Sequence, residues 1–184
     1  MLYRSRVLKG NLNVPYSIHC LRSSSVQHEI KILRLISLLS IGSVAIALVS
    51  QYQFDMQPCA WCVFQRLLYL MIGMTALLLT FLKLNRKGLS IGTTGIIAIA
   101  IAGVTSAVYQ EKVAANTFSC AQTFADQLMT KSGLDAAAPW LFGIYASCME
   151  ARIKLLGIEY AWWSMAMFGM IGVLGIIALL RLRR

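Results

Sequence analysis

The sequence predicts an all-α membrane protein whose core is a four-transmembrane-helix bundle. Hydrophobic residues make up 58% and charged residues 13% of the 184-residue chain, and the mean hydropathy is +0.68. An ordinary soluble domain has roughly 25% charged residues, so the composition is not that of such a domain. Four apolar runs are long enough for a helix to cross a bilayer, which takes roughly 20 residues. We expect the four spans at about residues 32–50, 63–82, 91–109 and 161–180.

The basic residues, which give the chain a net charge of +10, predict its orientation in the membrane. They cluster before the first span, between the second and third spans, and after the fourth, at Arg4, Arg6, Lys9, Arg22, Lys31, Arg34, Lys83, Arg86, Lys87, Arg181, Arg183 and Arg184. The loops at residues 51–62 and 110–160 carry most of the acidic residues. Because cytoplasmic loops are enriched in Lys and Arg, both termini and the middle loop are expected in the cytoplasm. The distribution of the basic residues is therefore explained by insertion in a lipid bilayer, and we expect no nucleic-acid partner.

Residues 1–30 are expected to form a flexible, basic cytoplasmic leader in front of a membrane domain at residues 31–184. A cleaved signal peptide is not expected, because the first apolar run begins only at residue 32 and is as long as a span. Cys20 lies in the leader, on the reducing side of the membrane, and is expected to be a free thiol.

The external loop at residues 110–160 is too apolar to be only a solvated linker. Residues 136–145 are expected to form a short helix in the membrane interface, with Trp140 and Tyr145 at headgroup level. Residues 151–158 are expected to form a second short helical segment that leads into the last span.

A Cys-x-x-Cys pair, Cys59 and Cys62, stands at the start of the second span. Such a pair can close a small disulfide ring or bind a metal. Pro58 directly before the pair favours a helix start, where unpaired N–H groups and the helix dipole stabilise a thiolate. Arg66 follows Cys62 by four residues, so a helix places both on one face and adds a positive charge there. The pattern indicates a redox site.

Two further external cysteines, Cys120 and Cys148, complete an even set of four. Cysteines in an oxidising compartment usually form disulfides. Spacing alone allows three pairings, of which Cys59–Cys62 with Cys120–Cys148 is the natural resting arrangement.

Three functions are compatible with these four cysteines. In the first, the disulfides are inert staples of a non-catalytic membrane protein, although the Cys59–Cys62 ring closes almost no loop. In the second, the four sulfurs bind zinc; external thiols oxidise first, so we expect no metal. In the third, the loop pair exchanges electrons with a soluble protein and the Cys-x-x-Cys pair passes them to a lipid-soluble quinone. Arg66 would then donate a hydrogen bond to a quinone carbonyl and stabilise the developing oxyanion.

This combination of features resembles the DsbB family of bacterial disulfide bond formation proteins. The resemblance is carried by four spans, by an external Cys-x-x-Cys followed by Arg66, and by a later loop with two spaced cysteines. The segments Ser147-Cys148-Met149-Glu150-Ala151-Arg152 and Leu156-Gly157-Ile158-Glu159 are also similar to the approach to the last span in that family. The resemblance covers about residues 32–180.

The resemblance implies a multi-pass protein of the bacterial inner membrane whose active cysteines face the periplasm. Cys120, paired with Cys148, would be attacked by a periplasmic DsbA-type thiol oxidase, and the electrons would pass to the Cys59–Cys62 pair. Cys59 would exchange with the loop, whereas Cys62 would face a ubiquinone or menaquinone from the membrane pool. Arg66 would assist quinone binding and reduction.

The chain also departs from the DsbB pattern. Gln65 stands where the family often has an acidic residue. No histidine lies on the external side, and Gln110-Glu111-Lys112 stands at the outer end of the third span, where a further polar group on the quinone side is expected. The leader is longer than is usual for the family. An alternative with similar architecture is a vitamin K epoxide reductase-like enzyme, which the cysteine order disfavours because the loop cysteines of that family precede the Cys-x-x-Cys.

Overall fold

The computed structural model describes residues 16–82, 84–113, 123–151, 154–155 and 157–183. Within these residues the chain is mostly helical, with a single pair of two-residue strands. The elements in chain order are α1 (Tyr16–Gln53), α2 (Ala60–Phe81), α3 (Arg86–Lys112), α4 (Phe124–Ser132), α5 (Leu134–Ala137), α6 (Pro139–Phe142), β1 (Lys154–Leu155), β2 (Ile158–Glu159) and α7 (Tyr160–Arg183).

Four of the helices are long and apolar enough to cross a membrane, which confirms the predicted four-helix membrane protein. They are α2, α3, α7 and the part of α1 from Gln27 to Gln53. Helix α1 packs against α2 and α7, and α3 packs against the same two helices, so the four form a closed bundle. The beginnings of α2 and α7 and the ends of α1 and α3 therefore meet at one end of the bundle, where the longest loop also lies.

The bundle core contains a close approach between α3 and α7. Phe168 is fully buried and stacks on Tyr69, with ring centroids 3.9 Å apart and an interplanar angle of 6°. A Cβ atom on Gly103 would overlap the ring of Phe168, so only glycine fits at this point of α3. Small residues at helix interfaces allow such close packing between spans.

Residues 16–30 belong to helix α1, which corrects the expectation of a flexible segment there, whereas residues 1–15 of the expected leader lie outside the described residues. The chain contains neither glycine nor proline between Tyr16 and Gly42. Once a helix has nucleated in the apolar span, each further residue adds a hydrogen bond, so the helix continues back through the polar residues 16–30.

The expectation of a short helical segment at residues 151–158 is wrong. After a turn at Cys148–Ala151 the chain forms the antiparallel strands β1 and β2, which pair Lys154 with Glu159 and Leu155 with Ile158. Gly157 has a φ of +82°, in the left-handed region that favours glycine. A helix cannot continue through this conformation, and the chain reverses instead before α7 begins.

The long loop carries the three short helices α4, α5 and α6. Helix α4 starts with a capping box in which Thr123 and Asp126 satisfy each other's backbone N–H groups. Helix α6 lies within the segment expected at the membrane interface, and Trp140 and Tyr145 are both exposed. The Tyr52 hydroxyl of α1 donates a hydrogen bond to the Trp140 carbonyl oxygen (2.8 Å), which ties α6 to the bundle. The interfacial position of α6 stays a prediction.

Replacing Gly103 by alanine should destabilise the bundle. The added methyl group must displace the Phe168 ring and disturb its stacking on Tyr69, and overpacking of this kind costs roughly 1–3 kcal/mol. The measurement is the midpoint of thermal unfolding in detergent, followed by circular dichroism. Gly95→Ala is the matched control, because a Cβ there has no atom within 4 Å and alanine favours the helix. Equal midpoints for the two variants would contradict the prediction.

Candidate redox site

The Cys-x-x-Cys pair forms the beginning of helix α2. Cys59 is the N-cap residue, with an extended backbone (φ −87°, ψ 171°), and its carbonyl accepts the first helical hydrogen bond from the Val63 N–H (3.0 Å). Ala60 is the first helical residue, so Pro58 precedes the helix instead of lying in its first turn. The motif therefore lies where unpaired backbone N–H groups are available to anionic sulfur.

The two sulfur atoms of the motif are close to each other. The Sγ atoms of Cys59 and Cys62 are 3.2 Å apart and make a thiol–thiol hydrogen bond. Cys59 is completely buried, whereas Cys62 is half-buried and borders a cavity. The pair is therefore close enough to exchange between dithiol and disulfide, and the predicted Cys59–Cys62 disulfide stays a prediction.

A segment of the long loop holds Cys148 against Cys59. The carbonyl of Pro58 accepts hydrogen bonds from the backbone N–H groups of Tyr145 (3.1 Å) and Ala146 (3.3 Å). Directly after this contact the chain makes the turn that contains Cys148, and the Cys148 side chain packs against Cys59 and makes a hydrogen bond with it. The loop cysteine Cys148 and the Cys-x-x-Cys pair thus meet, and electron exchange between them stays a prediction.

The turn that carries Cys148 is stabilised by its own side chains. The Glu150 carboxylate accepts hydrogen bonds from the Ser147 N–H (2.9 Å) and the Ser147 hydroxyl (2.7 Å). In return, the Glu150 N–H donates to the Ser147 hydroxyl oxygen (3.3 Å). The Ala151 N–H closes the turn on the Ser147 carbonyl (3.0 Å). This reciprocal cap holds the backbone of the turn that carries Cys148.

The contact between Cys59 and Cys148 separates the acidities of the two thiols. The Cys59 thiol donates to the Cys148 sulfur, which raises the pKa of Cys59 well above its ordinary value; its contact with Cys62 and its burial raise it further. The same hydrogen bond, together with one from the Trp61 backbone N–H, lowers the pKa of Cys148 although burial opposes this. In the reduced protein the proton therefore stays on Cys59, and Cys148 is the better nucleophile of the two.

Cys120, the predicted partner of Cys148, lies outside the described residues. Its pairing with Cys148 and its exchange with a soluble protein stay predictions. Among the described residues, no three His, Cys, Asp or Glu side chains are arranged as ligands for a metal ion.

Arg66 lies one helical turn after Cys62, and its side chain is only 5% exposed. Its guanidinium donates to the Gln51 side-chain oxygen (2.7 Å), to the Leu141 carbonyl (3.1 Å) and to the Ala47 carbonyl (3.4 Å). These acceptors belong to α1 and α6, so Arg66 connects α2 to both. The residue was predicted near the membrane boundary, and its burial inside the protein was not foreseen.

A cavity of about 320 Å³ opens beside the Cys-x-x-Cys pair between α1, α2 and α7. Cys62 and Arg66 both border it, as their spacing on one helix face predicted. Most of the wall is apolar. The polar and aromatic groups around it are Ser43, Ser50, Gln57, Gln65, Tyr69, Gln110, Tyr160, Trp163 and Ser164. Small-molecule sites in proteins combine an apolar wall with a few polar groups in this way.

Several of these residues were missed or given no role in the sequence analysis. Ser164 and Tyr69 lie inside spans, where a polar group usually has a function or a partner, and that signal alone identifies them as candidates. Gln51 at the end of α1 carried no comparable signal. Gln65 and Gln110 stood out only as departures from a family pattern, whereas the structure joins them through a hydrogen bond of 2.7 Å.

Removing the Cys59 thiol should make Cys148 less acidic. In the reduced protein, Cys59→Ala deletes the donor that contributes most to the lowered pKa of Cys148, so its thiolate should form only at higher pH. We expect the pH midpoint for alkylation of Cys148 by iodoacetamide, followed by mass spectrometry, to move upward. Cys20→Ala, in the amino-terminal part of α1, is the control and should leave the midpoint unchanged. An unchanged midpoint in Cys59→Ala would show that the contact does not acidify Cys148.

Comparisons with known proteins match most of the chain. The family described as "Disulfide bond formation protein DsbB" matches residues 30–178. Proteins named disulfide bond formation protein B are similar to it: that of Polaromonas naphthalenivorans is 29% identical over 82% of this chain and 93% of its own length. The proteins of Cupriavidus necator (29%; 80% and 90%) and Dechloromonas aromatica (30%; 71% and 80%) are comparable. With four spans, a cysteine pair at the start of the second and a family match over most of its length, the chain belongs to the DsbB family of disulfide bond formation proteins.

Proposed function

We propose that this protein is a thiol–quinone oxidoreductase that reoxidises a DsbA-type dithiol oxidase and passes the electrons to a membrane quinone. It would lie in the bacterial inner membrane with both termini in the cytoplasm and the cysteines on the periplasmic side, as the distribution of basic residues favours. One observation carries the proposal: Cys59 contacts the loop cysteine Cys148, whereas its partner Cys62 borders the cavity with Arg66. Within the pair, Cys59 would therefore exchange with the loop cysteine, and Cys62 would pass the electrons to an acceptor in the cavity.

The first half of the proposed reaction is thiol–disulfide exchange. A partner dithiol reduces the Cys120–Cys148 disulfide and leaves as a disulfide, so two electrons and two protons enter the loop pair. The Cys148 thiolate then attacks the Cys59 sulfur of the Cys59–Cys62 disulfide, and Cys62 leaves as a thiolate. Cys120 attacks Cys148 in the resulting mixed disulfide, which restores the loop disulfide and releases Cys59. The two electrons now reside on the Cys59 and Cys62 thiols.

The contact between Cys148 and Cys59 supports this exchange route. Exchange requires the attacking sulfur to reach the disulfide sulfur, and the loop is held there by the two hydrogen bonds to the Pro58 carbonyl. An attack on Cys59 also releases Cys62 as the leaving group, on the cavity side. The geometry thus favours Cys59 as the sulfur that exchanges and Cys62 as the sulfur that faces the acceptor.

The residues around the cavity fit a quinone. The apolar wall suits the ring and the start of an isoprenoid tail, and Arg66 is the buried cation among the groups that border the space. A bound ubiquinone or menaquinone would supply an acceptor for two electrons and two protons. Cys62 would hold the donating sulfur at the cavity wall, and Arg66 would place its guanidinium where negative charge develops on a carbonyl oxygen.

Turnover with purified components tests the proposed function. The protein in detergent, given a reduced DsbA-type partner and a soluble quinone, should reduce the quinone, as measured by its ultraviolet absorbance. Cys62→Ser should abolish this reaction because the hydroxyl cannot form the disulfide. No turnover with either a ubiquinone or a menaquinone analogue, while the external cysteines stay stably paired, would favour structural disulfides in a non-catalytic membrane protein.

Replacing Arg66 by alanine should slow quinone reduction much more than thiol exchange. Loss of one charge-stabilising donor in an active site typically costs about 10²–10³-fold in rate. Single-turnover measurements would follow quinone reduction and, separately, formation of the mixed disulfide with the partner. Arg183→Ala, an exposed arginine at the opposite end of the bundle, is the control and should change neither step. Equal loss of both steps in Arg66→Ala would contradict this division of roles.

A further inference from the structure

A chain of hydrogen bonds connects α7, α2 and α3 and ends on the sulfur of Cys62. The Ser164 hydroxyl donates to the Gln65 side-chain oxygen (2.6 Å), and the Gln65 side-chain nitrogen donates to the Gln110 oxygen (2.7 Å). The Gln110 nitrogen lies 3.2 Å from the Cys62 sulfur and 3.7 Å from the Cys59 sulfur and donates to both. Every link therefore donates in the same direction, toward the cysteine pair.

The direction of this chain depends on residue 65 being an amide. A glutamine side chain has both a donor and an acceptor, so Gln65 accepts from Ser164 and donates to Gln110. Because the Gln110 oxygen is occupied by that donor, the NH₂ group of Gln110 faces the sulfur. A carboxylate at residue 65 can only accept, so it would bind the Gln110 nitrogen and turn the Gln110 oxygen toward Cys62.

We propose that Gln65 is a positioning residue, held by Ser164, which orients the Gln110 amide so that its N–H stabilises the Cys62 thiolate. This inference rests on the proposed function, in which Cys62 is the sulfur released when Cys148 attacks Cys59. Donation from a neutral N–H to a buried anion is among the stronger hydrogen bonds in proteins, and donors in series polarise one another. No bond is made or broken in Gln65 or Gln110, so neither is a catalytic group by this proposal.

Burial makes this orientation stable. Gln65 is 5% exposed and Gln110 is 7% exposed, so both amides are shielded from bulk solvent and an unmade hydrogen bond between them is costly. The Tyr69 hydroxyl, on the same face of α2 one turn further, donates to the Ser164 carbonyl (3.0 Å) and lies 3.2 Å from its hydroxyl. Tyr69 thereby holds Ser164, where this series of hydrogen bonds begins, in place.

Other charged or titratable groups also act on Cys62, and the test has to keep them constant. Cys59 precedes it at the start of α2, Arg66 follows it in α2, Cys148 reaches it from the loop, and Tyr160 interacts with it from α7. Gln110 is the neutral donor from α3. Substitutions that remove the amides without adding charge therefore separate the effect of orientation from that of charge.

The test measures the thiolate of Cys62 in the reduced full-length protein, without partner and without quinone. Iodoacetamide alkylation is followed across pH, and the modified cysteine is located by tandem mass spectrometry. Gln110→Met removes the donor, and we expect the alkylation rate of Cys62 at neutral pH to fall about tenfold, with the midpoint at higher pH. Gln65→Met, which leaves the Gln110 amide free to turn, should give a smaller fall in the same direction.

The double variant distinguishes positioning from an independent effect. If Gln65 acts through Gln110, Gln65→Met should have no further effect in the Gln110→Met background. Gln53→Met, the same substitution at an exposed position at the end of α1, is the control and should leave the rate unchanged. Circular dichroism checks that each variant is folded. Should Gln110→Met fail to fold, Ser164→Ala removes the first donor of the hydrogen-bond series and should also slow the alkylation of Cys62.

Two results would overturn the inference: an alkylation rate unchanged in Gln110→Met, or effects of the two single variants that simply add. Because the assay contains neither partner nor quinone, it is independent of turnover. Normal turnover with unchanged alkylation in the variants would reject the positioning role and leave the proposed function intact. Absent turnover in the unmodified protein would reject the proposed function, whatever the alkylation rates.

Discussion

The arrangement of the site depends on the hydrogen bonds that the buried guanidinium of Arg66 donates to its neighbours. An unpaired charge inside a protein costs several kcal/mol, so the acceptors around it must stay in place. Two of them, the Gln51 side chain and the Ala47 carbonyl, belong to α1, and the third is the Leu141 carbonyl at α6. The hydrogen bonds of this one side chain therefore hold the end of α1 and the short helix α6 beside α2.

A second constraint divides the two sulfurs of the Cys-x-x-Cys pair between two environments. Cys59 is the N-cap residue and contacts the loop, whose backbone is held on the Pro58 carbonyl. Cys62 is one turn into the helix and faces the cavity on the bundle side. Three residues of helix thus separate the sulfur that, in the proposed reaction, would exchange with protein thiols from the sulfur that would face a membrane ligand. By this proposal the electrons would cross between the two environments without a moving domain, because one cysteine pair belongs to both.

The parts of the structure that depend on local composition were predictable, and those that depend on tertiary contacts were not. The bilayer requires long apolar helices, so all four spans and the shared face of Cys62 and Arg66 followed from the sequence. The helical residues 16–30 were missed because a polar segment attached to a stable span can continue its helix. The strands after Cys148 were missed because a short segment is helix or hairpin according to a single positive φ, here at Gly157. The partners of Arg66 come from α1 and α6, which no spacing rule connects to it.

The neutrality of Gln65 also bears on the proposed role of the Arg66 charge. Among the described residues, Arg66 donates three hydrogen bonds and all go to uncharged oxygens, so no carboxylate in this part of the chain accepts from it. A glutamate at residue 65 would place a negative charge beside it and weaken its attraction for any other anion. With an amide there, the same guanidinium would, by the proposed function, stabilise the Cys62 thiolate and then the oxyanion that develops on a quinone. In this proposal the two neighbouring residues have complementary roles: the amide of Gln65 directs a hydrogen-bond donor to the Cys62 sulfur, and the charge of Arg66 stays available to the atom that becomes negative.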